Sequence, residues 1–480
     1  MSTRSRVSRR AVERSITLTG LFIAALLVPM AAHAHIRLDE SSPGPDEVVY
    51  VMPSHLRLLF SARIEARYTG VTLIGPDGEA VSTGGVVFVD GSDREITVSL
   101  PELVQPGTWT VQWRTAGADG HVLEGSYSFV LAPDSALAAA ARDSIAGAAA
   151  TDGIQPTGDT AAAAGTAGDM HAHHEEPESV GGTRDAIARG LHFVALLLLL
   201  GSVTFRAVLM PRLGLSESAN VTLQRRVWRT ITVGALLLAA SAVLRLWFQS
   251  IALHGAERAW NTELLSIMLT DTSWGRAWLL QSVLFALLGM AIVWARPGRD
   301  RAGLVVAVIA VLGLSAIPAL SGHAAGATGL GRLIILNDAV HVAAAGAWLG
   351  TLAVLILVAI PVLRRAEPDG DARAADAIDT FSPIALAGGA VVVVSGVVNS
   401  VMHLSAVPQL WTTTYGRVLL AKLLFVALVA IAGFVNWRQV RPRLREIGGV
   451  QRLRITAGAE LAFALLVLTA TAILTGQPRP

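Results

Sequence analysis

Three residues carry the most specific chemistry in this 480-residue chain: His35, Asp119 and His121. His35 matters because of what precedes it. Residues 1–34 open with a basic stretch (Arg4, Arg6, Arg9, Arg10, Arg14), continue through an apolar run from Ile16 to Met30 and end on Ala32-His33-Ala34, the pattern of a cleaved secretory signal. Cleavage after Ala34 makes His35 the first residue of the mature chain, so a free α-amine stands beside its imidazole as a chelating pair. Asp119 and His121 lie two apart in Ala118-Asp119-Gly120-His121. In an extended segment such positions face the same way, so a carboxylate and an imidazole can reach one point. Amine, two imidazoles and a carboxylate form a planar N,N,N,O set, which suits Cu(II). The competing readings are an ordinary turn with an exposed histidine for Asp-Gly-His and a peptidase site without ligand function for His35.

Composition narrows the chemistry further. The chain has no cysteine, which removes disulfides, thiolate metal sites, Fe–S clusters and Cys nucleophiles together. A net charge of +2 gives no electrostatic case for nucleic acid. No flavin or nicotinamide fingerprint and no Walker A pattern is present, so the sequence reads as a non-enzyme. A second ligand-rich patch, Met170, His171, His173 and His174 followed by Glu175 and Glu176, lies within residues 134–183. That stretch is rich in Ala, Gly, Thr and Asp and reads as a disordered linker. Its histidines are either a weak capture site or part of a polar spacer.

The elements that must position these groups are of two kinds. From Val48 to Leu131 apolar residues alternate: Leu56, Leu58 and Phe60; Ile96, Val98 and Leu100; Trp109, Val111 and Trp113; Tyr127, Phe129 and Leu131. Short alternating runs separated by Gly75-Pro76-Asp77-Gly78, Asp90-Gly91-Ser92 and Pro106-Gly107 predict an all-β sandwich over 35–133. Beyond residue 184 the chain changes material. With 52% hydrophobic and only 15% charged residues overall, against about 25% charged in soluble proteins, the apolar surplus concentrates in eight segments near 186–209, 228–250, 275–295, 302–321, 333–361, 381–403, 416–437 and 455–475. Each is long enough to cross a hydrocarbon core of ~30 Å. An all-α bundle of eight transmembrane helices over 184–476 is therefore expected.

Arginines orient this bundle. The loops after helices one, three, five and seven hold Arg225, Arg296, Arg364, Arg441 and others, while the opposite loops and the tail hold only Arg258, Arg276, Arg332, Arg417 and Arg479. By the positive-inside rule the β domain and the C-terminus face outward from an inner membrane. His192, at the start of helix one, His323, His341 and His403 then fall in the outer half, and His254 in an outer loop. Asp338 and His341 share a helix face, and Met402 adjoins His403. Lys422, in helix seven, is the only lysine, and Glu460 in helix eight can face Asn436. Ionisable groups at membrane depth mark an ion pathway or a structural polar contact between helices.

Two resemblances rest on these residues. His35-Ile36, Ser41-Ser42-Pro43, Leu58-Leu59-Phe60-Ser61, Pro106-Gly107-Thr108-Trp109-Thr110-Val111-Gln112-Trp113, Ala118-Asp119-Gly120-His121 and Gly125-Ser126-Tyr127-Ser128-Phe129 resemble the CopC family of extracytoplasmic copper-binding β-sandwiches. That resemblance implies Cu(II) held by His35, Asp119 and His121. Trp274-Gly275-Arg276, Ser321-Gly322-His323, His341 with Trp348-Leu349-Gly350, Phe381-Ser382-Pro383, Ser395-Gly396 with Asn399, Tyr415-Gly416 with Lys422, and Asn436 resemble the CopD family of membrane copper proteins. A CopC-like domain followed by a CopD-like domain is similar to the known fusion of the two, which implies copper transport, uptake foremost, with copper ion, membrane lipid and periplasmic copper chaperones as partners. Sequestration without transport, a copper-dependent oxidative enzyme using the N-terminal histidine, and a haem-binding electron carrier remain the alternatives.

Overall fold

Alternating burial builds the N-terminal domain. The computed structural model describes residues 37–61, 63–101, 105–117, 122–132, 182–295, 300–322, 331–403 and 407–477. They divide between a β unit and a helical unit. One sheet is ordered β1 (Leu38–Ser42), β3 (His55–Phe60), β7 (Glu95–Ser99), β6 (Val86–Phe88). The other is ordered β2 (Val48–Val49), β9 (Val122–Leu131), β8 (Gly107–Ala116), β4 (Gly70–Ile74), β5 (Ala80–Val81). Pairing is antiparallel except between β2 and β9. Leu56, Leu58, Phe60, Ile96 and Val98 of the first sheet share one core with Leu73, Trp109, Val111 and Phe129 of the second. Burying each such side chain contributes about 1.5–3 kcal/mol. Trp113 stays half-buried, edge-on to Phe60 with ring centroids 5.4 Å apart, and Gly125 opposite it leaves the indole its space, since a Cβ there would fall 2.4 Å from the ring.

Among the described residues, eight helices are long and apolar enough to cross a membrane. They are α1 (Thr183–Arg212), α2 (Glu217–His254), α3 (Ser273–Trp294), α4 (Asp300–Leu320), α5 (Gly331–Ala366), α6 (Gly370–His403), α7 (Thr414–Arg443) and α8 (Gly449–Leu474). A shorter helix, Thr262–Asp271, precedes α3, and one turn, Gln409–Thr412, precedes α7. The expected number is found, but several helices are longer than their apolar windows. Arg225, Arg226 and Arg229 lie on the first turns of α2, and Arg373 on the first turn of α6, instead of in loops. His192 lies nine residues inside α1 instead of at its start, and His254 closes α2 instead of sitting in a loop.

Three helices widen before they end. α1, α5 and α7 contain π turns at Phe205–Leu209, Leu355–Ala359 and Asn436–Val440, with Pro211, Pro361 and Pro442 two residues after their ends. Proline lacks an N–H and crowds the carbonyl four residues back, and the wider turn accommodates both. The arginine-bearing helix ends are tied across helices. Arg206 pairs with Asp300, which also accepts from the Trp228 indole at 2.8 Å. Arg441 reaches Asp379 at 2.8 Å and Arg445 reaches Asp376 at 2.8 Å.

Candidate metal sites

In the β domain, His35, Asp119 and His121 lie outside the described residues, as do Met170, His171, His173, His174 and His323. The residues flanking the first three are described, and one segment holds both flanks. The Arg37 amide donates to Ser61 Oγ at 2.8 Å, and Ser61 returns a backbone bond to the Arg37 carbonyl at 2.9 Å. Three residues on, Ile64 forms a bridge with Gly117, and the Glu65 amide donates to the Ala116 carbonyl at 2.8 Å. Three residues of chain span at most ~10 Å. The strand that follows His35 and the hairpin that carries Asp119 and His121 are therefore fastened to the same short stretch at one end of the sandwich. The register of that hairpin is fixed through its last pair, Ala116 opposite Val122.

The helical unit brings residues of α5, α6 and α7 to one polar node. Asp338 and His341 occupy one face of α5, as their spacing predicts, and Asn337 joins them there. Asn337 Nδ2 donates to Asn399 Oδ1 at 2.6 Å and to the Ser395 carbonyl at 3.1 Å. Asn399 Nδ2 in turn donates to Asp338 Oδ1 at 2.6 Å. Lys422, on α7, interacts electrostatically with both Asp338 and His341. His341 is held by Ser395, whose Oγ lies 2.8 Å from Nδ1. A hydroxyl has one proton to give, and Ser395 gives it to the Val391 carbonyl at 2.5 Å. Its oxygen therefore accepts from His341 Nδ1–H, and the Val392 carbonyl is a second hydrogen-bonding neighbour of the ring; with the proton on Nδ1, the lone pair that can meet a metal is on Nε2. Fixing the tautomer through the other ring nitrogen is how proteins prepare a metal-binding imidazole. Gly396 lies against the ring, where an added Cβ would make an ordinary contact 3.5 Å from Cε1. Met402 is half-buried three residues beyond Asn399; His403 ends α6, and its side chain lies outside the described residues.

His192 shows the same arrangement on α1 and α2. It is 2% exposed, with Nδ1 3.2 Å from Ser241 Oγ, while Ser241 donates to the Leu238 carbonyl at 2.8 Å. Its surroundings differ: Arg245 acts on it electrostatically, and Arg189, one turn earlier, pairs with Asp185 and donates from Nε to the Ala472 carbonyl at 3.0 Å. Glu460, 4% exposed, accepts from Asn436 Nδ2 at 2.9 Å and has the Trp348 indole as a second hydrogen-bonding neighbour. The expected Glu460–Asn436 contact is thus present, and through Trp348 the carboxylate also links Asn436–Val440 of α7 to a further π turn, Gly346–Gly350 of α5. Sequence reasoning missed Ser241, Asn337 and Arg245. The spacing of Asn337, four residues before His341, was the available signal for one of them.

Three family profiles match along the chain in order: CopC domain at 38–132, Copper resistance protein D-like, N-terminal domain at 185–333, and Copper resistance protein D at 375–474. The chain belongs to the CopC–CopD fusion family. The fusion is similar to Copper transport protein CutJ of Bacillus subtilis (strain 168), 26% identical over 465 residues that cover 96% of this chain and 77% of that protein. Its membrane part is similar to Inner membrane protein YebZ of Escherichia coli (strain K12), 25% identical over 54% of this chain and 84% of that protein. The β domain is similar to the crystal structure of CopC from Methylosinus trichosporium OB3b, 30% identical, covering 21% of this chain and 95% of that one with a TM-score of 0.20. The architecture of this fusion is a β-sandwich followed by a multi-pass membrane bundle.

Proposed function

We propose that this fusion captures Cu(II) outside the inner membrane and carries copper inward through its bundle, as a transporter and not as an enzyme. His35, Asp119 and His121 form the capture site of the β domain. The Met170, His171, His173 and His174 patch, tethered between the two parts, raises the local concentration of copper at the bundle. The membrane acceptor is the node around His341. The observation that carries this reading is the Ser395–His341 bond, which puts the lone pair of the ring on Nε2 at membrane depth with Asp338 one turn away. A carboxylate beside an imidazole offsets the charge of an entering cation, while Lys422 holds the empty node near neutrality. The names of the relatives support copper as the cargo, since CutJ is a copper transport protein. The signal segment 1–34 and the sorting of arginines support an outward β domain and C-terminus.

Uptake of radioactive copper into proteoliposomes, run with and without a reductant, tests the proposal. The full chain accumulates copper inside, and His341→Ala at equal protein level reduces the rate by about tenfold or more. Accumulation no greater than in protein-free vesicles overturns transport and leaves sequestration.

A further inference from the structure

The bundle repeats itself after four helices. Counted from His192 on α1 and His341 on α5, a glycine stands nine residues later in each, Gly201 and Gly350. The serines that hold the two histidines, Ser241 and Ser395, each follow a glycine by seven residues, Gly234 and Gly388. These glycines make the same contacts. A Cβ on Gly234 would meet Leu199 at 3.0 Å and the Ala195 carbonyl at 3.7 Å; a Cβ on Gly388 would meet Trp348 at 3.1 Å and the Ala344 carbonyl at 3.2 Å. Leu199 and Trp348 both lie seven residues after their histidine, and Ala195 and Ala344 three.

The third helices agree as well. Thr272 caps α3 by accepting from the Gly275 amide at 2.9 Å, and Thr413 caps α7 by accepting from Gly416 at 3.0 Å. Each of those glycines is pressed onto the short helix before it, against the Met268 and Gln409 carbonyls. Gly201 and Gly350 touch: a Cβ on the first would fall 1.9 Å from the carbonyl carbon of the second, and one on the second 2.0 Å from the Leu197 carbonyl oxygen and 3.0 Å from the Cα of Gly201. Equivalent residues meet in this way across a twofold axis. An even number of crossings per unit starts the second unit from the same side of the membrane, so the axis runs along the membrane normal. The family profiles divide near the same point, the first ending at residue 333 as α5 begins.

We infer that α1–α4 and α5–α8 are two copies of one four-helix unit, that each carries one serine-held histidine site, and that substitutions at matched positions leave only the second copy able to take a copper cation. Three residues before the histidine the first copy has Arg189 and the second Asp338. Four residues after the serine the first has Arg245 and the second Asn399. Six residues after the capped glycine the first has Gln281 and the second Lys422, the ammonium that neutralises Asp338 in the empty node. The His192 site therefore has two guanidiniums and one carboxylate, Asp185, around it. The His341 site has one carboxylate, one ammonium and the amide oxygens of Asn337 and Asn399. Both imidazoles present Nε2, but like charge disfavours a cation at the first. There Arg189 instead ties α1 to α8 through the Ala472 carbonyl.

This inference rests on the reading of His341 as the membrane acceptor, and one set of variants separates the two. In the full chain carrying His121→Ala, copper bound per chain and copper uptake into proteoliposomes are measured for His192→Gln, His341→Gln and Arg189→Asp/Arg245→Asn, with monodispersity checked by gel filtration. The expected result is near-normal uptake in His192→Gln, a loss of about tenfold or more in His341→Gln, and one additional bound copper in the double variant that disappears when His192→Gln is added. Equal loss in the two histidine variants, or no added copper in a monodisperse double variant, overturns the asymmetry while the acceptor reading stands. Normal uptake and binding in His341→Gln overturns both.

Discussion

Ser395 shows how one hydroxyl sets the chemistry of a neighbouring ring. Its proton is committed to the Val391 carbonyl within its own helix, so the oxygen facing α5 can only accept. Ser395→Ala is expected to free the imidazole to change tautomer and to lower copper uptake by about tenfold, the usual cost of losing a ligand's orienting partner. Ser395→Thr keeps the hydroxyl and restores uptake; equal rates in the alanine and wild-type chains argue against the orienting role. For the capture site, His121→Ala or one residue added before His35 is expected to weaken Cu(II) binding about 100-fold, read by competition with a coloured chelator. Unchanged affinity in both rules out the amine–imidazole–carboxylate set. The ligand-type residues were legible in the sequence because few side-chain types bind copper and this chain has no cysteine among them. Their orienting serines were not legible, because serine is a common residue in these helices and only the facing helix shows which one a histidine meets.

At the scale of elements, the apolar windows located all eight spans, but not their ends. The first turns of α2 carry Gln224, Arg225 and Arg226 beside a buried stripe of Ala219, Leu223 and Val227, too polar on average to read as part of a span. They are helical because Ser216 caps them and is itself held from α5: Ser216 N and Oγ both donate to Glu367 Oε1 at 2.8 Å. These bonds, the backbone donor first, hold the Glu367 carboxyl below its ordinary value of 4.5. A depressed carboxylate contributes stability that is complete above its unfolded value and is lost as pH falls through the folded one. Between about pH 5 and about pH 3 the thermal midpoint of the full chain should therefore fall more than that of Glu367→Gln. Parallel pH curves would show that the tie contributes nothing. In the β domain the alternation placed the strands correctly, and Trp113 departs from full burial because its indole lies over Gly125 near one end of the β8–β9 pair.

Across the whole molecule, close backbone packing fixes how the helices assemble. Gly201 and Gly350 bring α1 and α5 into backbone contact, so Gly201→Leu is expected to force them apart and destabilise the bundle by about 1–3 kcal/mol or more. Gly289→Ala on α3, where nothing lies within 4 Å of the added methyl, should instead stabilise by about 0.5–1 kcal/mol. Thermal unfolding in detergent compares the two, and equal midpoints would count against the glycine contact as the seam of the bundle. The sequence by itself determined the two materials of the chain, the strand alternation, the eight spans and the family, because these follow from local composition, period and short motifs. Only the tertiary structure decided that Asp338 meets Asn399, that Ser395 and Ser241 orient the two histidines, that Trp348 joins Asn436 at Glu460, and that Gly201 rests on Gly350. Those partners lie on different helices, far apart along the chain. No local period encodes which polar groups must pair when helices that are apolar nearly all round pack side by side.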